Sequence, residues 1–299
     1  MVSTALALVL AILAPFIWGF INIIDKFVLS HRVKGLLGYT SIVGVITIVF
    51  GGVLALFLDW SAFSFMDLLF PAIAGVLFGS SYFIYYLLMD KEDASNVIGF
   101  LFVYPVLVSF LSFIFLQEVI SLAGYVGAAI TILGVLLLTT RVQAIKYKAI
   151  VWLVPCMILV YAFSEFFVKV ATIGLPTMNG VAINLMSAGI ILLFALLSVK
   201  ARKAVFRELK NAKWAFLNQS ILFVAMSTLY VTMAALPATI VSSLAAIQPL
   251  AVLLMEKALH HAGIRICDDV AFGKKLVPLA LIVLGVVIIY SQELLKLFV

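Results

Sequence analysis

Residues 67–105 read DLLFPAIAGVLFGSSYFIYYLLMDKEDASNVIGFLFVYP, and residues 211–249 read NAKWAFLNQSILFVAMSTLYVTMAALPATIVSSLAAIQP. At a constant offset of 144 the two align without a gap, setting Tyr86 on Tyr230, Met89 on Met233, Ala94 on Ala238 and Pro105 on Pro249. Upstream, an offset of 143 sets Trp18 on Tyr161, Asn22 on Glu165 and Lys26 on Lys169. Downstream, Leu133-Gly134-Val135 recurs as Leu284-Gly285-Val286. Apolar sequences match easily by chance, so the weight rests on punctuation recurring in order: a short hinge, a proline, then Leu-Gly-Val. The pattern reads as an internal duplication, with one repeat over 1–148 and a second over 149–299.

The medium around these repeats follows from composition. Of the 299 residues 66% are hydrophobic and 11% charged, and the mean hydropathy is +1.30. A soluble chain averages roughly 45–50% apolar and about 25% charged residues. Roughly 20 apolar residues cross the hydrocarbon as a helix, and uninterrupted apolar runs place ten spans near 4–25, 36–58, 68–89, 94–116, 120–140, 150–170, 177–199, 213–235, 238–258 and 276–292. They are too long and too apolar for barrel strands, which alternate over about 10 residues. Two stretches read as longer loops, Lys200 to Lys213 and His260 to Lys275. The expected fold is therefore an all-α integral membrane protein of ten transmembrane helices, five per repeat. Five is odd, so the second repeat enters the membrane inverted. Inverted repeats are a hallmark of secondary transporters, whose two halves exchange conformations around a midplane site; some channels share the architecture.

All but Lys169 and Lys296 of the nineteen lysines and arginines fall in the loops after spans 1, 3, 5, 7 and 9. The positive-inside rule then puts both termini outside the cytoplasm, in what reads as a plasma (inner) membrane. The formal charge of +6 is thereby a topology signal rather than a nucleic-acid footprint. The apolar stretch Val2 to Ile24 lacks a basic leader and is too long for a signal peptide, so it reads as the first span. Cys156 and Cys267 offer neither a disulfide framework nor a metal spacing.

At this point the residues resemble a family. Tyr85-Tyr86-Leu-Leu-Met-Asp-Lys-Glu-Asp-Ala-Ser95, Tyr104-Pro105, Leu116-Gln117-Glu118 and Gly134-Val-Leu-Leu-Leu are similar to the EamA-type repeat of the drug/metabolite transporter superfamily. The resemblance implies two inverted five-helix repeats around a central cavity lined by helices 1, 3, 4, 6, 8 and 9, with helices 5 and 10 peripheral. The second repeat departs from it: His260-His261-Ala262 stand where Leu-Gln-Glu is expected. Ten-helix members also often look N-in, whereas the charge bias here reads N-out.

Polar side chains within spans normally face the bundle interior or a water-filled path. Trp18 and Asn22 share a face of span 1, with Asp25 and Lys26 at its end. Tyr161, Glu165 and Lys169 form one stripe on span 6. Glu165 reads as the only acidic residue well inside a span, a candidate with Lys169 for proton coupling or for holding a cationic group. The plainer reading is an ion pair between the two at i,i+4. Tyr82 and Tyr86 are cavity candidates, Tyr85 reads as part of an interfacial aromatic belt, and Glu256 as an interfacial residue facing the basic loop. Pro105 and Pro249 read as paired kinks, hence hinges. Gly75 and Gly79 permit close helix contact.

The expectation is a carrier of small organic metabolites, amino-acid-like or amphipathic, contacting Trp18, Asn22, Tyr82, Tyr86, Tyr161, Glu165, Tyr230 and Gln248. Movement of a lipid or lipid-linked substrate, and a non-transporting scaffold, stay open. No Walker loop, HExxH or Gly-x-Ser-x-Gly occurs in the sequence, so no enzyme, metal or cofactor is expected. The partners are the substrate, the bilayer and a coupled proton or ion, with a homodimer left open and no nucleic acid. Sidedness is testable with a native residue: Cys267 should resist membrane-impermeant thiol reagents in intact cells and react after permeabilisation, and labelling from outside would reverse the orientation.

Overall fold

A computed structural model of the chain describes residues 3–61, 63–116, 122–142, 148–236, 238–264 and 272–298. Gln117, Glu118, Lys146, Arg265 and Cys267 lie outside the described residues. Among those described there is no strand. The helices are α1 (Thr4–His31), α2 (Leu36–Ala55), α3 (Phe65–Met89), α4 (Ala94–Leu101), α5 (Tyr104–Leu116), α6 (Leu122–Val142), α7 (Lys148–Gly174), α8 (Thr177–Leu193), α9 (Val199–Glu208), α10 (Ala212–Ala235), α11 (Ala238–Ala245), α12 (Gln248–His261) and α13 (Phe272–Phe298). Seven described stretches are long and apolar enough to cross a membrane: Thr4–His31, Leu36–Ala55, Phe65–Met89, Ala94–Phe115, Trp152–Gly174, Thr177–Leu197 and Val199–Ala235.

The helix starts follow local chemistry. Ser3 caps α1 by accepting from the Leu6 amide at 3.3 Å. Ser64 and Asp67 form a reciprocal capping box on α3. Around the bundle, α1 packs on α10 and α12, α3 on α7 and α8, α2 on α8, and α6 on α13. Leu6, Val9, Leu13, Phe16 and Phe20 leave the outer face of α1 exposed and apolar, as a lipid-facing surface requires. Cys156 is likewise exposed on the outside of α7.

Three expectations are corrected. The first span does not end at residue 25; α1 continues to His31, which carries Asp25 and Lys26 inside the protein. The stretches 94–116 and 238–258 are not single kinked helices. Each is interrupted, between Leu101 and Tyr104 and between Ala245 and Gln248. Proline has no N–H to donate and clashes with the carbonyl four residues earlier. Pro105 and Pro249 therefore sit second in a restarted helix, where the missing donor costs nothing. Last, the basic stretch after α8 is not a loop. Its run of Lys, Arg and Ala has strong helical propensity and forms α9, which lies on the start of α2; a methyl on Gly38 would stand 2.8 Å from the Ala204 carbonyl carbon.

Without a hydrophobic force between helices in lipid, close backbone approach through small residues supplies much of the packing. Gly75 and Gly79 bring α3 onto α8 at Asn184 and Ala188, and a methyl on Gly79 would lie 2.5 Å from the Ala188 carbonyl oxygen. Gly79→Val should therefore lower the apparent melting temperature, at a cost of about 1–3 kcal/mol for overpacking. Gly52→Ala, into open space, should be neutral or slightly stabilising in the same thermal-unfolding measurement.

Candidate functional site

The longer α1 places a carboxylate where the sequence suggested a helix end. Asp25 has no solvent exposure. One carboxylate oxygen accepts from the hydroxyls of Tyr82 at 2.8 Å and Tyr85 at 3.3 Å. The other accepts from the Tyr86 hydroxyl at 3.1 Å and from Asn218 Nδ2 at 2.7 Å. A carboxylate has about four lone-pair sites, so this one is fully engaged. The network runs on through α1: Asn22 Nδ2 donates to the Tyr85 hydroxyl at 2.9 Å, and Gln248 Nε2 donates to Asn22 Oδ1 at 2.8 Å. Gln248 is the first residue of α12, beside the helix break.

A small cavity lies against this network, with about 30 Å³ open to the centre of a water-sized sphere, enough for one water. Trp18, Asn22, Tyr82, Tyr85, Tyr161 and Gln248 line it. Its aromatic wall is continuous. Phe78 stands 6.1 Å from Trp18, 5.4 Å from Tyr82 and 6.4 Å from Tyr161, ring centre to ring centre. Tyr161 in turn meets Tyr104 edge to face at 4.8 Å. Such faces carry negative charge density and attract cations as well as apolar surface.

Glu165 forms a second buried carboxylate on α7. The hydroxyls of Tyr161 and Tyr104 hydrogen-bond to it, and Ser242 Oγ of α11 donates to it at 3.5 Å. Lys169, the sequence-level partner of Glu165, donates to the main-chain oxygens of Met233 at 2.7 Å and Leu236 at 3.0 Å, at the end of α10. Lys26 does the same at the end of α3, donating to the Met89 oxygen at 2.9 Å. Both ammonium groups satisfy carbonyls that a helix end leaves without internal donors.

Of the eight residues expected at the site, Trp18, Asn22, Tyr82, Tyr161 and Gln248 line the cavity. Tyr86 is behind them on Asp25, and Glu165 is reached through Tyr161. Tyr230 points elsewhere: its hydroxyl accepts from Asn184 Nδ2 of α8 at 3.1 Å, and its ring lies against Gly180. Tyr85 is not part of an interfacial belt but is buried in the network. Glu256 is buried, accepts from the Ser95 amide at 3.0 Å, and has Lys275, from the basic segment after α12, as its electrostatic neighbour. Sequence reasoning missed Asp25, Tyr104, Asn218 and Ser242 as site residues. Asp25 had a signal, since positions 18, 22 and 25 lie on one helical face.

Residues 5–140 match the EamA-like transporter family. The first part of the chain, a little under half of its length, is thus similar to a family of transporters. The family is one of transporters, not enzymes, and with the apolar helices it makes this a multi-pass membrane protein. No curated protein matches the sequence. Among solved structures, one crystal structure of a protein superposes with a TM-score of 0.62 at 18% identity, covering 97% of this chain and 99% of the other. At that identity the likeness concerns the fold alone.

Hydrogen bonds to a charged group contribute about 1.5–3 kcal/mol, and unmaking one leaves a buried acceptor short. Tyr86→Phe and Asn218→Ala should each lower the melting temperature of the protein. Tyr230→Phe, whose hydroxyl meets only a neutral amide, should cost less in the same assay.

Proposed function

We propose that the chain is a secondary transporter of small amphipathic organic solutes, working by alternating access about the cavity between α1, α3, α7 and α12. Two five-helix halves, 1–148 and 149–299, inverted relative to each other and making ten spans, form the working unit. One observation carries the reading. At the α11–α12 break Gln248 bonds Asn22, and at the α4–α5 break the aligned residue Tyr104 bonds Glu165, itself aligned with Asn22. Interrupted helices meeting at the centre are where carriers hold substrate.

Two further pairs support the duplication. Lys26 on Met89 aligns with Lys169 on Met233. The Gly134 and Gly285 of the recurring Leu-Gly-Val lie in the contact between α6 and α13. The cavity's aromatic wall suits a solute with an apolar or aromatic body, and Glu165, reached through Tyr161, suits one bearing an amine. Pro105 and Pro249, each just inside a restarted helix, are the proposed hinges. The basic face is cytoplasmic in this reading, with both termini outside, in the plasma (inner) membrane.

The two carboxylates are not equivalent in the mechanism. Asp25 is held by four donors from α3 and α10 and acts as a fixed anchor for α1. Glu165 carries the coupled proton. In proteoliposomes under an imposed proton gradient, Glu165→Gln should keep the fold and abolish concentrative uptake while leaving substrate exchange intact. Asp25→Asn should lower the melting temperature and depress both. Normal concentrative uptake by Glu165→Gln, with only an earlier melt, would make Glu165 structural and passive facilitation the better mechanism.

A further inference from the structure

Away from the cavity, a separate hollow opens on the basic face between the α1–α2 turn and the start of α10. It holds about 290 Å³ and is lined by His31, Arg32, Lys34, Lys210, Lys213 and Trp214, with Asn211. Four permanent cations ring one concavity. Among the described residues none of Arg32, Lys34, Lys210 and Lys213 is in an ion pair. The nearest carboxylate, that of buried Glu208, is occupied. It accepts from the Lys34 amide at 3.2 Å, from Arg207 Nε at 3.4 Å and from Asn211 Nδ2 at 2.8 Å.

Topology alone does not require this construction, since positive-inside charges act equally well when scattered and solvated. Lys200 and Lys203 on α9 are of that kind, exposed and outside the hollow. Around the hollow the scaffold is braced. Phe27 stacks on His31 at 5.2 Å, meets Trp214 edge to face at 5.7 Å, and lies beneath the Arg32 guanidinium at 5.9 Å. Asn211, buried, ties the Arg32 carbonyl to Glu208. Shortly before Lys210 in the chain, Phe206 and Leu209 are exposed apolar side chains, of the kind that enter the edge of the acyl region.

We infer that this hollow is a binding site for a phosphate-bearing anion, presented by the headgroup of an anionic phospholipid in the adjoining leaflet. Arginine supplies a planar fork matched to phosphate oxygens, and the lysines supply point charges. Clustered basic residues beside an apolar surface are what holds an anionic headgroup at an interface. Bound there, the lipid would bridge the end of α1 and the α1–α2 turn to the start of α10 and stiffen the basic face.

The test uses the full chain in nanodiscs of phosphatidylcholine, with or without a minority of phosphatidylglycerol, and in phosphatidylcholine with added inorganic phosphate. Thermal unfolding and native mass spectrometry of retained lipid are the readouts. Phosphatidylglycerol should raise the melting temperature and be retained. Lys210→Gln/Lys213→Gln removes two side chains that make no hydrogen bond or ion pair among the described residues. It should leave the phosphatidylcholine baseline unchanged, lose the shift, and weaken retention at least about tenfold. Arg32→Gln should also lose the shift, measured against its own phosphatidylcholine baseline, and Lys200→Gln/Lys203→Gln should keep it. A shift with inorganic phosphate alone, lost in Lys210→Gln/Lys213→Gln, would support the phosphate site and assign its ligand to solution. Equal phosphatidylglycerol shifts in all variants, or no shift with either probe, would overturn the site.

Discussion

A carboxylate cannot lie in the middle of an apolar bundle unless donors converge on it, and Asp25 is placed where they do. Tyr82, Tyr85 and Tyr86 come from one turn and a half of α3, and Asn218 comes from α10 on the far side of α1. Burying an ion without partners costs several kcal/mol, so α1, α3 and α10 are held in one relative arrangement. The same restraint sets Asn22 against Tyr85 and Gln248 against Asn22. Through these bonds the position of α12 and the shape of the cavity depend on one acidic side chain.

The helix breaks follow from a second constraint. Lipid offers no hydrogen bonds, so irregular backbone is tolerated only where protein or a water-lined cavity surrounds it. The interruptions at Phe102–Val103 and Ala246–Ile247 obey this: Phe102 and Ala246 are buried, and Phe102 lines the cavity. Proline makes each break inexpensive, and the polar residue just before it (Tyr104 or Gln248) turns the break into a contact with the neighbouring long helix. The proposed hinge and a polar group of the central network thereby occupy the same place in the chain.

Charge is distributed by a different logic at the periphery. Within the bundle, ammonium groups are satisfied by carbonyls at helix ends, as for Lys26 and Lys169, or by a partly buried acid, as for buried Lys275 on Asp93 at 2.6 Å. In the hollow on the basic face, Arg32, Lys34, Lys210 and Lys213 gather with no ion pair among the described residues, beside an aromatic brace. The first arrangement stabilises the fold; the second leaves positive charge facing outward for an anionic group.

Composition and apolar run length by themselves determined that this is a helical membrane protein, because transfer of apolar surface out of water depends on residue content and not on tertiary contacts. Periodicity placed Trp18, Asn22, Tyr161 and Glu165 on inward faces, and proline marked where two spans are interrupted. The extent of α1 was not legible: Asp25 and Lys26 look like the end of an apolar run until the residues that satisfy them are known. Asn218 lies 193 positions from Asp25, and Met89 lies 63 from Lys26. The same distance in sequence hid the burial of Tyr85, the role of Ser242 beside Glu165, and the turning of Tyr230 toward α8. Local sequence determines which side chains must avoid lipid. Which partners receive them is decided only when helices far apart in the chain pack together, since a hydrogen bond requires its two groups to meet within about 3 Å.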